Sequence, residues 1–371
     1  MAQESLPLAV KLHVRLESIH SRVRPSVFTE GEEETQRPLI VREQRFLGEA
    51  RREVVLLDSP ASMANRMEEN LYSLRGEIKF NDILVKIGEE RFSQWQLPHR
   101  IYDAAIRDST LEGKPFFETE LGQRIARGNL EDLFVWAPNA LIFGAWNSHA
   151  QAGVGARIAP RIERAIIAEV VGLEPQGLGR PASRRDPLGI PGNAPLTEGF
   201  KDIAQKLNKK AKKFSDLGYG NIPPTLEMLD VSIQEAYLEV ALTRLPWRQR
   251  GYPEEVQEVL WHLALLGVAC LLQDGFLHLR SGTVLVLAER PPKLVHLPDG
   301  TQHSLPTKEE LLEKLREALD RLEKNRPGYR WSGEELVLEA SSALKEAYQD
   351  QENLRRDKQK QKEDKQDGNE G

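Results

Sequence analysis

Residues 54 to 76, VVLLDSPASMANRMEENLYSLRG, constrain the fold more than any other stretch. Val54 to Leu57 is a short apolar run after Arg51 and Arg52 and reads as a buried strand. Asp58, Ser59 and Pro60 stop it. Ser59 is suited to cap a helix and Pro60 to occupy its first position. Met63, Ala64, Met67, Leu71 and Leu74 then recur at helical spacing, with Asn65, Arg66, Glu68 and Glu69 on the other face. Gly76 is placed to end the helix. A strand, a sharp polar turn and a helix aim backbone donors at the turn, where an anion can sit. An ordinary capped connection is the competing explanation.

A chain of 371 residues is long enough for one large domain or two ordinary ones, and 40% hydrophobic residues supply a core. The net charge of -6 argues against indiscriminate nucleic-acid binding but leaves local basic patches open. Cys270 is the single cysteine, so no intrachain disulfide can form and a reducing, cytoplasmic location is expected. Scattered histidines without HxxxH or CxxC spacing predict no metal site, and no cofactor motif is present. The apolar run Leu263 to Leu272 is too short to cross a bilayer, so no membrane partner is expected. The N-terminus lacks the pattern of a signal peptide.

Alternating residues from Leu8 to Leu16 predict a half-exposed strand, followed by an acidic loop at 29–37 and short strands near 38–43 and 81–88. Leu97 to Ser109 predicts a short helix opening on His99 and Arg100, and Glu118 to Arg127 a second. Ala140 to Ser148 reads as an apolar strand containing Trp146. In the segment from Arg157 to Gly172, Arg161 and Arg164 share a face if it is helical. Residues 173–225 are rich in glycine and proline, and such a long segment of weak periodicity marks a functional excursion or a disordered insertion. It concentrates Arg180, Arg184, Arg185, Lys201, Lys206, Lys209, Lys210, Lys212 and Lys213. Nucleic-acid contact and a solvated basic face both account for that cluster. Val231 to Leu245 is ambiguous between strand and helix, and Pro253 to Asp274 is a strong helix containing Gly267. Strands are expected at 277–279 and 283–288. Thr307 with Glu310, and Ser332 with Glu335, read as capping boxes of two helices in a hairpin, and the charged chain from Asp350 reads as disordered.

The motifs VLLDSPASMANRMEE, LPHRIYDAAIRDS, LIFGAWNS, RIERAIIAEVVG, SRRDPLG, GYGNIPPT and HLRSGTVLVL occur in an order that resembles the Csb-type RAMP proteins. These are backbone subunits of the Cas seven family in the type I-G (formerly I-U) CRISPR Cascade complex. The likeness spans roughly residues 50 to 288. It implies an α+β fold: a ferredoxin-like, RNA-recognition-motif-like palm with helical insertions and an extended thumb hairpin. On that pattern 1–172 is the first part of the palm with its insertion, 173–225 the thumb, 226–306 the rest of the palm, 307–349 a C-terminal helical hairpin and 350–371 a charged tail. The implied function is non-catalytic: copies polymerise head-to-tail along a CRISPR RNA and present it for pairing with a target DNA strand, beside other Cascade subunits. Related RAMP subunits are metal-dependent ribonucleases using a loop aspartate, for which Asp58 or Asp186 would be the candidate.

A guide-holding subunit grips phosphates and leaves base edges free, so the expected RNA contacts are cations, hydroxyls and stacking rings. Ser59, Asn65 and Arg66 on the opening turn and helix qualify, with an Arg66–Glu69 ion pair as the alternative. His99 and Arg100 lie at a helix start, where His99 also suits a cap. Trp146 is a stacking platform or a core residue. Arg161, Arg164, Ser183, Arg184 and Arg185 are expected contacts, and Lys209, Lys210 and Lys213 diffuse attraction. Arg280 and Ser281 lie between two strands; an Arg280 buried against Asp58 is the rival explanation.

Overall fold

The computed structural model describes residues 6–30, 37–47, 49–146, 161–207 and 210–351. Its main sheet begins with β1, Ala9–Ser18, which buries Val10, Leu12, Val14 and Leu16 and turns Lys11, His13 and Arg15 outward. β2, Ala50–Asp58, leads into α1, Pro60–Ser73, as the opening motif predicts. β3, Ile166–Leu173, continues into a hairpin of β4, Gln176–Arg184, and β5, Ile222–Ser232. β6, Ala236–Thr243, α2, Glu254–Leu272, and β7, Val284–Leu287, complete the set.

The pairing order is β7-β1-β6-β3-β2, every pair antiparallel. Phe276–His278 extends one edge and Arg42–Leu47 the other. Omitting β2, the strands β1, β3, β6 and β7 lie in the order fourth, first, third, second. With α2 crossing from β6 to β7, that is the ferredoxin-like arrangement. α1 reaches the same layer through the added strand β2 and packs on α2 and β3. The close approach of the helices explains Gly267, where a Cβ would stand 3.3 Å from Met67 Cβ. The fold is therefore α+β with a ferredoxin-like palm.

Two insertions decorate the palm. Between α1 and β3 lie short helices and a small sheet, in which Asp82–Ile87 pairs with Glu90–Ser93. Between β4 and β5, the helix Glu198–Leu207 folds over a small aromatic cluster, with Phe200 edge-on to Phe214 at 5.0 Å and to Tyr219 at 5.4 Å. The ambiguous segment from Val231 is strand, because β6 is the central neighbour of both β1 and β3.

Several sequence expectations fail locally. Gly76 does not end α1: the helix stops at Ser73 and a short helix, Arg75–Ile78, runs through Gly76 to a left-handed Lys79. Ala140 to Phe143 is not a strand, since Pro138–Phe143 is a fully buried helix ended by Gly144; Ala145–Trp146 is extended, and 147–148 lie outside the described residues. Burial on all sides removes the periodicity that separates helix from strand. Leu97 to Ser109 is two short turns broken at Asp103, whose carboxylate caps the second by accepting from Ala105 N–H at 2.9 Å. The segment carrying Arg161 and Arg164 is not helical: Arg161–Ile162 pairs with Ala145–Trp146, and β3 follows. The C-terminal segment has its two helices, the second at Ser342–Gln349 capped by Ser341, but not as a simple hairpin started at Ser332. The capping box at Thr307 forms and starts Lys308–Asn325, but Glu335–Ala340 is a strand lying parallel to Asp82–Ile87. Ser332 donates to Asn81 instead of capping a helix. The helix α2 has the length and apolar character of a membrane span, unlike the ten-residue run read from sequence, but most of it is buried in the core. The acidic tip at 31–36 and the tail from 352 lie outside the described residues.

The parallel pairing sets Asp82 beside Glu335. Asp82 is buried, accepts a hydrogen bond from Ser93 Oγ at 2.9 Å, and burial pushes its carboxyl up to about 6. In the unfolded chain a carboxyl ionises near ~4. The native state therefore holds a proton between those values that the unfolded state has lost, and stability falls as pH rises through that window, by ~3 kcal/mol. Urea unfolding at pH 4 and pH 7 should show the Asp82→Asn variant with a smaller difference than the wild type. An equal difference would remove Asp82 from the linkage.

Candidate nucleic-acid interface

Five of the residues singled out in the sequence meet in one open cleft of about 450 Å³, lined by His99, Arg100, Trp146, Arg161 and Arg164 with Phe143 and Gly144. They come from three separated segments. The buried helix Pro138–Phe143 anchors one wall through Phe143, and Gly144 ends it at φ +80°. A Cβ there would approach Ile162 O and Arg164 Cβ to 3.1 Å, so the close approach of the walls requires glycine. Trp146 then pairs across strands with Arg161 and stands 63% exposed. An indole this exposed is a surface ring and not a core one. Arg161 and Arg164 are both exposed, and Arg161 O accepts from Arg250 Nη2 at 2.8 Å.

Arg100 belongs to the wall of the cleft and not to its contact surface. Its Nε and Nη2 donate to the two oxygens of Glu68 at 2.7 and 2.6 Å, and its Nη1 to Gly144 O at 2.9 Å. Asn139 Nδ2 donates to the same carboxylate at 3.1 Å. Burial pushes the Glu68 carboxyl up, and the Arg100 hydrogen bonds and charge oppose that shift. Glu68, placed on the polar face of α1 by sequence, is therefore buried. Neither it nor Asn139 stood out in the sequence; their only signal is a polar residue beside an apolar stripe. His99 is exposed, and its backbone N–H donates to Asp103 at 3.1 Å.

A second basic group surrounds the start of α1. Ser59 Oγ accepts from Ser62 N–H at 3.3 Å, so the hydroxyl is used as a cap. Asn65 is exposed. Arg66 does not pair with Glu69: its Nε donates to Asp58 at 2.7 Å and its Nη1 to His278 O at 2.9 Å. Arg280 Nη2 reaches Asp58 at 3.4 Å, which bears out the rival explanation for the pairing, yet the Arg280 side chain stays 42% exposed. Ser281 is exposed in a left-handed conformation at φ 55°.

The remaining expected contacts lie on the β4–β5 excursion, away from the residues lining the cleft. Ser183 and Arg184 end β4, and Arg184 and Arg185 are exposed. Asp186 ties the loop together, accepting from Leu188 N–H at 2.8 Å and Gly220 N–H at 3.2 Å. Lys210 and Lys213 are exposed, while Lys209 lies outside the described residues. Neither candidate nuclease aspartate has a metal-ligand neighbourhood among the described residues: Asp58 is held by arginines and Asp186 by backbone N–H groups.

Residues 14–175 match the model of the family described as CRISPR-associated protein GSU0053. Over that span, under half of the chain, the sequence is similar to a CRISPR-associated family. The matched span starts within β1, contains β2, α1, the cleft and β3, and ends next to Gln176, where β4 begins. With the palm topology, it agrees with the resemblance to RAMP proteins of the Cas seven family. No curated protein matches the chain in sequence. The solved structure of Csc2 from Thermofilum pendens aligns at 14% identity over 85% of this chain and 76% of its own, with a TM-score of 0.30, too low to carry an argument.

Proposed function

We propose that the chain is a non-catalytic CRISPR RNA-binding backbone subunit of a type I-G (formerly I-U) Cascade complex. Copies polymerise head-to-tail along the guide and hold it for pairing with a target DNA strand, in contact with other Cascade subunits in the cytoplasm. The observation that carries this reading is the cleft: exposed Arg161 and Arg164 beside exposed Trp146, in a span that matches a CRISPR-associated family. Guanidiniums for phosphates and a ring for a base grip a single strand without reading its sequence. A heterologous interface that does not close gives a filament and not a ring. The β4–β5 excursion with Arg184, Arg185 and its lysines is the proposed thumb.

The test is the absorbance ratio at 260 and 280 nm and the native mass of the chain expressed with its Cascade partners, with and without a CRISPR array. RNA whose length sets the particle mass is the expected result. A clean protein ratio in both preparations would overturn the reading.

A further inference from the structure

Two buried aspartates of the palm each carry two arginines. Asp58 holds Arg66 at 2.7 Å and Arg280 at 3.4 Å. Asp230, on β5 at the root of the excursion, holds Arg24 at 3.1 Å and Arg22 at 3.5 Å. Asp58 is 0% and Asp230 2% exposed, so each carboxylate must be neutralised. One guanidinium suffices for that. The nearer arginine of each pair is the more buried, with side-chain exposures of 12% for Arg24 and 29% for Arg66. The second is the more open, at 33% for Arg22 and 42% for Arg280. The second arginine of each pair thus keeps part of its guanidinium surface open to solvent, in a chain whose net charge is -6.

The two groups are joined. Arg24 N–H donates to Thr283 Oγ1 at 2.8 Å, and Thr283 N–H donates to Arg280 O at 3.1 Å. Ser26 Oγ donates to the carbonyl of Leu57, the residue before Asp58, at 3.1 Å. Arg22 Nη1 also donates to Gly179 O at 2.6 Å on β4, so the strip reaches the excursion. We infer that Arg22, Arg24, Arg66 and Arg280 form one phosphodiester-binding strip, ordered by the buried carboxylates of Asp58 and Asp230. It rests on the proposed function and adds a second contact line, from the thumb root to α1, in which Arg22 and Arg280 meet the strand. The aspartates are positioning residues: they hold guanidiniums that would otherwise lose side-chain entropy on binding. Arg22, Arg24 and Asp230 carried no sequence signal.

Each phosphate contact to a single strand contributes ~0.7 to the slope of log K against log salt. With the full chain and a fluorescent uridine oligomer, Arg22→Gln and Arg280→Gln should each lower the slope by about 0.7, and the double variant by about 1.4. Each leaves its aspartate one arginine, so unfolding midpoints serve as the folding control. Arg330→Gln, on an exposed pair with Glu323, should leave the slope unchanged. A thymidine oligomer should show the same loss, since phosphate and not the 2′-hydroxyl is bound; a loss confined to RNA would overturn the assignment. Unchanged slopes in variants of a wild type that binds would overturn the strip and leave the proposed function standing. A wild type that binds neither oligomer, alone or with its partners, would overturn both.

Discussion

Glu68→Ala is expected to destabilise the protein by about 3–5 kcal/mol, the range for removing one partner of a buried ion pair. The Glu68 side chain is 4% and the Arg100 side chain 13% exposed, so solvent does little to replace the lost carboxylate. The cost is that of a stranded guanidinium, not of the pair itself. Among the described residues Arg100 keeps its hydrogen bond to Gly144 O and the face of the Phe143 ring, and Asn139 Nδ2 loses its acceptor. Urea unfolding of wild type and variant at pH 7 measures the effect. Removing both partners as Glu68→Gln with Arg100→Met should cost less than Glu68→Ala alone, because no charge is left buried. A loss below about 1 kcal/mol for the single variant would show that water or a shifted Arg100 neutralises the site, at odds with its burial. The effect reaches function through geometry: the pair fixes Arg100 against Gly144, the residue that starts the Trp146 wall.

Reversing charge at Arg161 and Arg164 together is expected to weaken single-stranded RNA binding by roughly 10–100-fold at physiological salt, through two lost phosphate contacts and added repulsion. Both side chains are exposed, so the unfolding midpoint should stay near that of the wild type. Adding Trp146→Ala should remove a further ~1–3 kcal/mol of stacking. Fluorescence anisotropy over a salt series separates these contributions, because losing the ring lowers affinity without changing the salt slope, whereas losing the arginines lowers the slope. Retention of wild-type affinity in the double reversal would move the RNA path away from the cleft.

Local chemistry made much of this legible in advance. The Ser59–Pro60 signal placed the start of α1, alternation placed β1, and Thr307 with Glu310 placed the C-terminal helix start, because caps and face periodicity are properties of a few adjacent residues. Periodicity failed where burial was complete, as at Pro138–Phe143, and where pairing was long-range, as at Glu335–Ala340, whose partner lies some 250 positions earlier. In the cleft, residue types pointed to His99, Trp146, Arg161 and Arg164, but the condition for a shared arginine face, a helix, is not met. A strand pair and a glycine turn bring them together instead.

What the sequence by itself determined was chemistry: which residues carry charge, rings and hydroxyls, where helices start, and the order of motifs that resembles RAMP proteins. Only the tertiary structure decided which charges are already spent. Arg66, Arg100, Arg161 and Arg164 are alike in sequence, yet Arg66 is tied to Asp58, Arg100 is locked on Glu68, and the last two face solvent. The physical reason is that burial sets the cost of an unpaired charge, and burial depends on what distant segments cover. The long-range pairs exist because the sheet order carries the loop of Arg22 and Arg24 to Asp230, and the loop of Arg280 to Asp58.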